Sequence, residues 1–374
     1  MNPHQQFCPN IDCPARGQIG KGNIGIHSQK KKRFVCRVCQ RTFTTSKATL
    51  FYRLHKDPQV VLLVLALLVY GCPVQGIVRA MQIDERTVRK WWQRAGQQCE
   101  KLHGHLVGNS QLDLQQVQAD EIKVKTQRGW LWMALAVMVP TRLWLGGAVS
   151  PHRDQDLARC LADQVRRIAL CRPLLLAVDG WWAYLGAFRR AFRSPLPLPP
   201  GAGRRPSFYS WPEVAIVQVI KRHTQDVWEI ERRVVQGCVP KIEALLTSSQ
   251  GGGMINTAYI ERLNATFRQR LDSLTRRTRT LARMPETLTA GMWVLGCVYN
   301  FCDFHLSLRV KLWVGKRGYR WVQRTPALAS GLTDHRWTLA EIMSFKVPLP
   351  RWKPDLKRGR PNKELRKLMD RWCL

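Results

Sequence analysis

Acidic residues are scarce in this chain. Asp and Glu number 26 among 374 residues, against 60 Lys and Arg, and the formal charge is +34. That imbalance excludes a neutral or acidic surface and calls for a polyanionic partner, of which nucleic acid is the usual one. The basic residues run through several segments rather than one tail, which describes an extended track for double-stranded DNA. Long apolar runs are missing too. The longest, Val60 to Tyr70, is far too short to cross a bilayer, so no membrane partner is expected. The opening Met1-Asn-Pro-His-Gln-Gln lacks the basic start and apolar stretch of a secretory leader. A cytoplasmic, nucleoid-associated protein is the expectation. In that compartment the 12 cysteines are thiols or metal ligands, not disulfides. No internal repeat is visible, so the length is read as two to four globular modules.

What is present divides the chain. Residues 1–50 are loop-like and rich in Cys, Gly and Lys; 56–98 read as three helices; 99–114 read as a linker. Residues 115–308 alternate strands and helices, with a basic insertion near 190–250, and 309–374 form a basic extension whose tail is expected to be poorly ordered. Within 115–308 the strand candidates are Val117–Val124, Trp130–Val139, Leu143–Val149, Leu174–Val178, Val214–Ile220 and Trp228–Val235. A helix from Asp154 to about Leu170 precedes the fourth strand. The fold class expected is a multidomain α/β chain, with a zinc ribbon, a helix-turn-helix, then a ribonuclease-H-like mixed sheet with flanking helices.

Two close cysteine pairs, Cys8/Cys13 and Cys36/Cys39, lie in a segment too polar to bury four ordinary thiols. Two knuckles of this kind supply the four thiolates of a tetrahedral structural zinc site. Cys297, Cys302 and His305 sit on an apolar helical stretch and are read as core groups. In Pro73 to Trp92 two short helices meet at a tight turn, with Ile77, Val78, Met81, Ile83 and Val88 as their shared core. Asp84 is the candidate N-cap of the second. Arg86, Thr87, Arg89, Lys90 and Arg94 are left exposed on it, as a helix entering the major groove requires.

Three acids carry the chemistry. Asp120 ends Val117-Gln-Ala-Asp120, Asp179 ends Leu174-Leu-Leu-Ala-Val-Asp179, and Glu261 lies early in a helical pattern. Carboxylates from two strand ends and a nearby helix can converge on one point. Magnesium or manganese prefers such oxygen ligands, and two ions clamp the attacking and leaving oxygens of a phosphodiester displacement. On the helix, Ile260, Leu263, Phe267, Leu271 and Leu274 form the apolar stripe; Glu261, Asn264 and Arg268 share the other face. Arg262, Asn264 and Arg268 are its candidate DNA contacts. Glu121 is read as a solvated surface acid.

The chain resembles the prokaryotic insertion-sequence transposases of the DDE class, most closely the IS1 type, over most of its length. The resemblance rests on the cysteine head with Cys36-Arg-Val-Cys-Gln-Arg-Thr-Phe43, the helix-turn-helix, Gln118-Ala-Asp-Glu121 and Val178-Asp-Gly-Trp-Trp-Ala-Tyr184. It rests also on Thr257-Ala-Tyr-Ile-Glu-Arg-Leu-Asn264 and Tyr299-Asn-Phe301. It implies a DNA-cutting and DNA-joining enzyme that uses Asp120, Asp179 and Glu261, with Arg268 as the basic residue near the bound DNA. It implies assembly as a homo-oligomer on the element's ends. Elements of that type often make head and catalytic part from two overlapping frames, whereas here both lie in one chain. The residues from about 310 onward extend past the family's minimal core.

Two other functions fit parts of the pattern. A noncatalytic DNA-binding regulator needs only the ribbon and the helix-turn-helix, and has no use for the acids. A hydrolytic nuclease on the same fold needs the acids, but not two end-reading modules. Lys357-Arg-Gly-Arg-Pro361 resembles an AT-hook core, and equally a solvated basic tail.

Overall fold

The structure, a computed structural model, describes all residues except 128, 197–206, 225–226, 276–283, 316–317, 355–360 and 374. The stretch compared with an AT-hook therefore lies, but for Pro361, outside the described residues. The molecule is mixed α/β and divides into two compact units, one of Met1–Pro58 with Met343–Leu374, the other of Gln59–Ile342. Among the described residues no helix is long and apolar enough to cross a membrane.

The first unit is built on three short antiparallel strands, β1 (Ile24–Ser28), β2 (Arg33–Cys36) and β3 (Thr42–Thr44), in the order β1-β2-β3. Its core is small: Ile24, Phe34 and Phe43 pack around Cys8, Cys13 and Cys36. The tail expected to be poorly ordered supplies the rest. Its helix, Lys363–Trp372, buries Trp372 in that same core, with Leu368 beside it. The Gln18 side chain donates to the Trp372 carbonyl at 2.6 Å. Gly17 adopts a φ of +69°, and a Cβ there would stand 2.1 Å from the Leu349 carbonyl oxygen. Only glycine lets the two backbones approach this closely. The physical reason is plain: a ribbon this short cannot cover its own apolar side, and Trp372 does.

The second unit opens with α1 (Pro58–Val69), α2 (Val74–Met81) and α3 (Glu85–Leu106). Asp84 caps α3 as expected, accepting from the Thr87 N–H at 3.2 Å. The helix does not stop at residue 98. It runs on through most of the expected linker, because Ala95, Cys99, Leu102 and His103 continue one buried stripe. Gly96 brings this stripe against a later helix; a Cβ there would meet Ala290 at 2.5 Å.

A six-stranded mixed sheet follows. Its strands are β4 (Gln116–Thr126), β5 (Gly129–Met138), β6 (Trp144–Ser150), β7 (Leu174–Val178), β10 (Val214–Thr224) and β11 (Val227–Gln236). A small pair, β8 (Arg193–Pro195) with β9 (Phe208–Ser210), stands apart. The sheet order is β11-β10-β7-β4-β5-β6. β7 runs parallel to both β4 and β10, and the other neighbours are antiparallel. Helices α4 (Gln155–Ile168), α5 (Trp182–Ala191), α6 (Val239–Gln250), α7 (Ala258–Arg270) and α8 (Pro285–Phe301) accompany it. α6 lays Ile242, Leu245 and Leu246 on Leu175, Ala177, Ala215 and Val217. Beyond α8 a hairpin, β12 (His305–Trp313) and β13 (Tyr319–Arg324), leads to short helices α9 (Pro326–Ala329) and α10 (Leu339–Ser344). Lys363–Trp372 is then α11.

Candidate functional site

Two clusters of potential metal ligands occur among the described residues, one of thiols and one of carboxylates.

The thiol cluster is Cys8, Cys13, Cys36 and Cys39, as the spacing predicts. Each pair is presented by a tight turn. The Cys13 N–H closes a turn on the Asn10 carbonyl at 3.2 Å, and the Gln40 N–H closes on the Cys36 carbonyl at 2.8 Å, with Gln40 at a φ of +56°. Cys8 and Cys39 sulfurs stand 3.6 Å apart, and those of Cys13 and Cys36 3.8 Å. A tetrahedron with zinc–sulfur bonds of about 2.3 Å has edges of about 3.8 Å, so the four sulfurs fit zinc. Burial pushes the Cys13 thiol up to about 12, with the neighbouring sulfurs adding to it. Cys39 moves the other way, to about 7: burial raises it, but the Arg41 N–H and neighbouring donors outweigh that.

The carboxylate cluster follows from strand register. β4 pairs in parallel with β7 through Ala119 opposite Val178, so the next residues, Asp120 and Asp179, are neighbours. Asp120 does not end its strand. β4 continues to Thr126 against β5, and Asp120 marks the point where its other neighbour, β7, stops. Asp179 accepts from the Trp181 N–H at 3.0 Å and from Arg153 Nη2 at 3.2 Å.

Glu121 is the main correction to the sequence reading. It is not a solvated surface acid: it is buried, its side chain 3% exposed, and it joins Asp120 and Asp179 with all three ligand oxygens within 4.8 Å. The physical reason is that β4 is an interior strand, buried without a break from Gln116 to Ala119 and again at Glu121 and Ile122. Arg153 holds one Glu121 oxygen, Nε at 2.5 Å, and spans to Asp179. The other oxygen of Glu121 and the Tyr184 hydroxyl are both buried, and the hydroxyl acts on Glu121 as a donor. Burial, then the Asp179 charge, raises Glu121 to about 7. Burial, then Asp179, raises Asp120 to about 6, and burial raises Asp179 as well. Three carboxyls held above their ordinary range form a site short of positive charge. The donor set, all carboxylate oxygen, suits magnesium or manganese rather than a softer metal.

Glu261 lies outside that trio. Its carboxylate accepts from Lys221 and from the Thr257 hydroxyl, the latter at 2.7 Å. Burial would raise it, but these hydrogen bonds hold it below the usual carboxylate range. It is still close enough to raise Asp120 by its charge. The helix that carries it is fixed to β4 by a residue the sequence reading quoted without a role. The Gln118 side chain accepts from the Tyr259 and Ile260 N–H groups, both at 3.0 Å, and donates to the Asn256 carbonyl at 2.8 Å. Thr257, at the N-cap position, makes no side-chain cap, so Gln118 satisfies N–H groups that the helix leaves open.

Asn264 is the second correction. It does not share an exposed face with Glu261; it is 1% exposed and donates to Asp120 Oδ2 at 2.9 Å. It is a positioning residue, not a DNA contact. Arg262 is exposed, and Arg268 is half-buried with its charge lowering Asp120. On α3, Arg86 and Lys90 are exposed one turn apart. Arg89 is paired with Glu85 at 2.5 Å, and Arg94 is half-buried. Cys297 and Cys302 are buried, as expected of core thiols, whereas His305 lies past α8, at the start of β12, and is half-buried.

No protein-family model matches the chain, and no curated protein matches it either.

Proposed function

We propose that this chain is a DNA transposase of the DDE class, which binds the ends of an insertion sequence and cuts and joins DNA strands. One observation carries the reading. Asp120 and Asp179 stand side by side on neighbouring parallel strands, and Gln118 pins the helix of Glu261 over them. The strand order supports a ribonuclease-H-like sheet: three antiparallel strands, then two parallel ones, with β11 added at the edge. The exposed pair Arg86 and Lys90 on a capped helix supports the helix-turn-helix, and the sulfur spacing supports the zinc ribbon.

In this reading Asp120, Asp179 and Glu261 would hold divalent magnesium or manganese, which would supply charge for the displacement at phosphorus. The residues set that up. Asn264 fixes the Asp120 carboxylate through Oδ2. Lys221 holds Glu261 beside the site. Arg153 bridges Glu121 and Asp179 and offsets part of the trio's charge.

The same cations favour a second reading, a noncatalytic DNA-binding regulator, because Arg153 and Lys221 already pair with three of the four acids. A cleavage assay separates the two. The full-length chain is incubated with plasmid bearing the DNA that flanks its coding sequence, with Mg²⁺ or Mn²⁺. Transposase activity yields nicks with free 3′-hydroxyls and then joined products. Asp120→Asn and Asp179→Asn should each cut the rate by about 10²-fold or more, with DNA binding retained. Binding without any cleavage by the wild type leaves the regulator.

A further inference from the structure

The hairpin of β12 and β13 carries an exposed row of rings and cations that the catalytic reading does not use. Opposite residues in its register are Lys311 with Trp321 and Trp313 with Tyr319. Alternation then puts Arg309, Lys311, Trp313, Tyr319 and Trp321 on one face. Trp313 is 75% exposed, and Tyr319 and Trp321 are nearly half exposed. Tyr319 stands 5.9 Å from both indoles, edge-on to each. Arg309 lies over the Trp321 ring at 4.2 Å, and Lys311 over Tyr319 at 4.6 Å. The opposite face is exposed as well, with Val310 and Leu312 in the open.

Leu308 anchors the base of that face, at 4% exposed, but a two-stranded ribbon this open is only marginally stable in water. Large rings left bare on it mark an interaction surface. The charge says what it takes. From His305 to Arg324 the sequence has six Lys or Arg residues and no Asp or Glu. A protein partner would have to bury those cations against its own acids. Nucleic acid supplies phosphates for the cations and flat bases for the rings together. We propose that this hairpin binds unpaired DNA strand, with bases stacked on Trp313 and Trp321 and phosphates held by Arg309 and Lys311. Base–aromatic stacking of this kind tolerates any sequence, since every base has a π-face. The inference rests on DNA being this chain's substrate, and it names the form of DNA: a strand freed from its partner, as exists at a cut end.

The test uses the full-length, zinc-loaded chain in buffer without Mg²⁺ or Mn²⁺, so that no cleavage intervenes. Binding of a 20-nucleotide oligo(dT) and of a 20-base-pair duplex is measured by fluorescence anisotropy. Trp313→Ala and Trp321→Ala should each weaken oligo(dT) binding by about 10-fold, within the range of single stacking losses. Duplex binding should move by less than about 3-fold, since duplex affinity is carried by phosphate contacts elsewhere. Trp313→Phe, which keeps a ring, should restore most of the loss. Arg320→Ala, which removes a charge from the opposite face, should cost far less than either tryptophan. Equal losses on oligo(dT) and duplex overturn the proposal in favour of a general basic surface. Unchanged oligo(dT) binding, with an oligomer that dissociates in Trp313→Ala, overturns it in favour of contact with a second copy. Failure of cleavage with this stacking pattern intact would remove the transposase reading and leave the hairpin's role standing.

Discussion

The thiol cluster and the carboxylate cluster are opposite solutions to the same problem of gathering like groups. In the first unit the ligands are the core: Cys8, Cys13 and Cys36 are fully buried, and little else apolar surrounds them. In the second unit the ligands sit where β7 ends, beside a large apolar core that does not need them. A metal in the first place holds a fold together. A metal in the second acts on a fold already made. The difference lies in the amount of apolar surface each unit can bury, and it dictates how each should fail.

The sharpest break of the comparison is removal of zinc. A chelator, or Cys36→Ser, should unfold the first unit, since zinc sites of this type contribute about 10–16 kcal/mol. The second unit should keep its amide-exchange protection. Metal analysis should find about one zinc per wild-type chain; a protected first unit without metal would show that its core suffices. Next in size is Trp372→Ala, which should cost about 3–5 kcal/mol, as for other buried aromatics. The loss should appear as weaker zinc retention, with the unfolding of the second unit unchanged.

The third prediction concerns pH. Asp120 and Glu121 titrate higher folded than unfolded, near 6 and 7 against ordinary values near 4. Between pH 4 and 7 the unfolded chain has therefore lost protons that the folded one keeps. Without Mg²⁺ or Mn²⁺ the second unit should lose stability as pH rises through that window, on the order of 3 kcal/mol for each of the two groups. Mg²⁺ should restore it at pH 7.5 and do little at pH 4.5. Glu121→Gln should flatten the pH dependence. A stability that rises with pH would show that these carboxyls are not held proton-hungry. The smallest expected effect is on α3. Arg89→Ala breaks a half-exposed pair with Glu85 and should cost only about 0.3–0.5 kcal/mol. Arg86→Ala with Lys90→Ala should leave stability alone and make the salt dependence of duplex binding shallower by about two units.

Much of this was legible in the residues. β7 occupies Leu174–Val178, the run expected, because a short apolar stretch bounded by Pro173 and Asp179 has few alternatives. The four cysteines were legible from spacing alone. Other features depend on what lies opposite in space. Glu121 looks like any charged residue after an Asp until β4 is known to be flanked on both sides. Asn264 shares a helical face with Glu261 only if that face is free, and Asp120 occupies it. The linker expected over 99–114 turns out to be largely α3, whose continuation depends on Gly96 packing against Ala290. The burial of Trp372 had no local signal, since its pocket is made by residues near the start of the sequence.

That last contact has a consequence in time. A ribosome makes about 5–20 residues per second, so Trp372 emerges tens of seconds after the ribbon it completes. Throughout that interval the whole second unit is being synthesised and can fold. The ribbon, meanwhile, waits with its apolar seat uncovered. Any chain cut short before α11 carries a finished sheet and an unfinished head. Completion of the head thus reports that translation has passed through Asp120, Asp179 and Glu261.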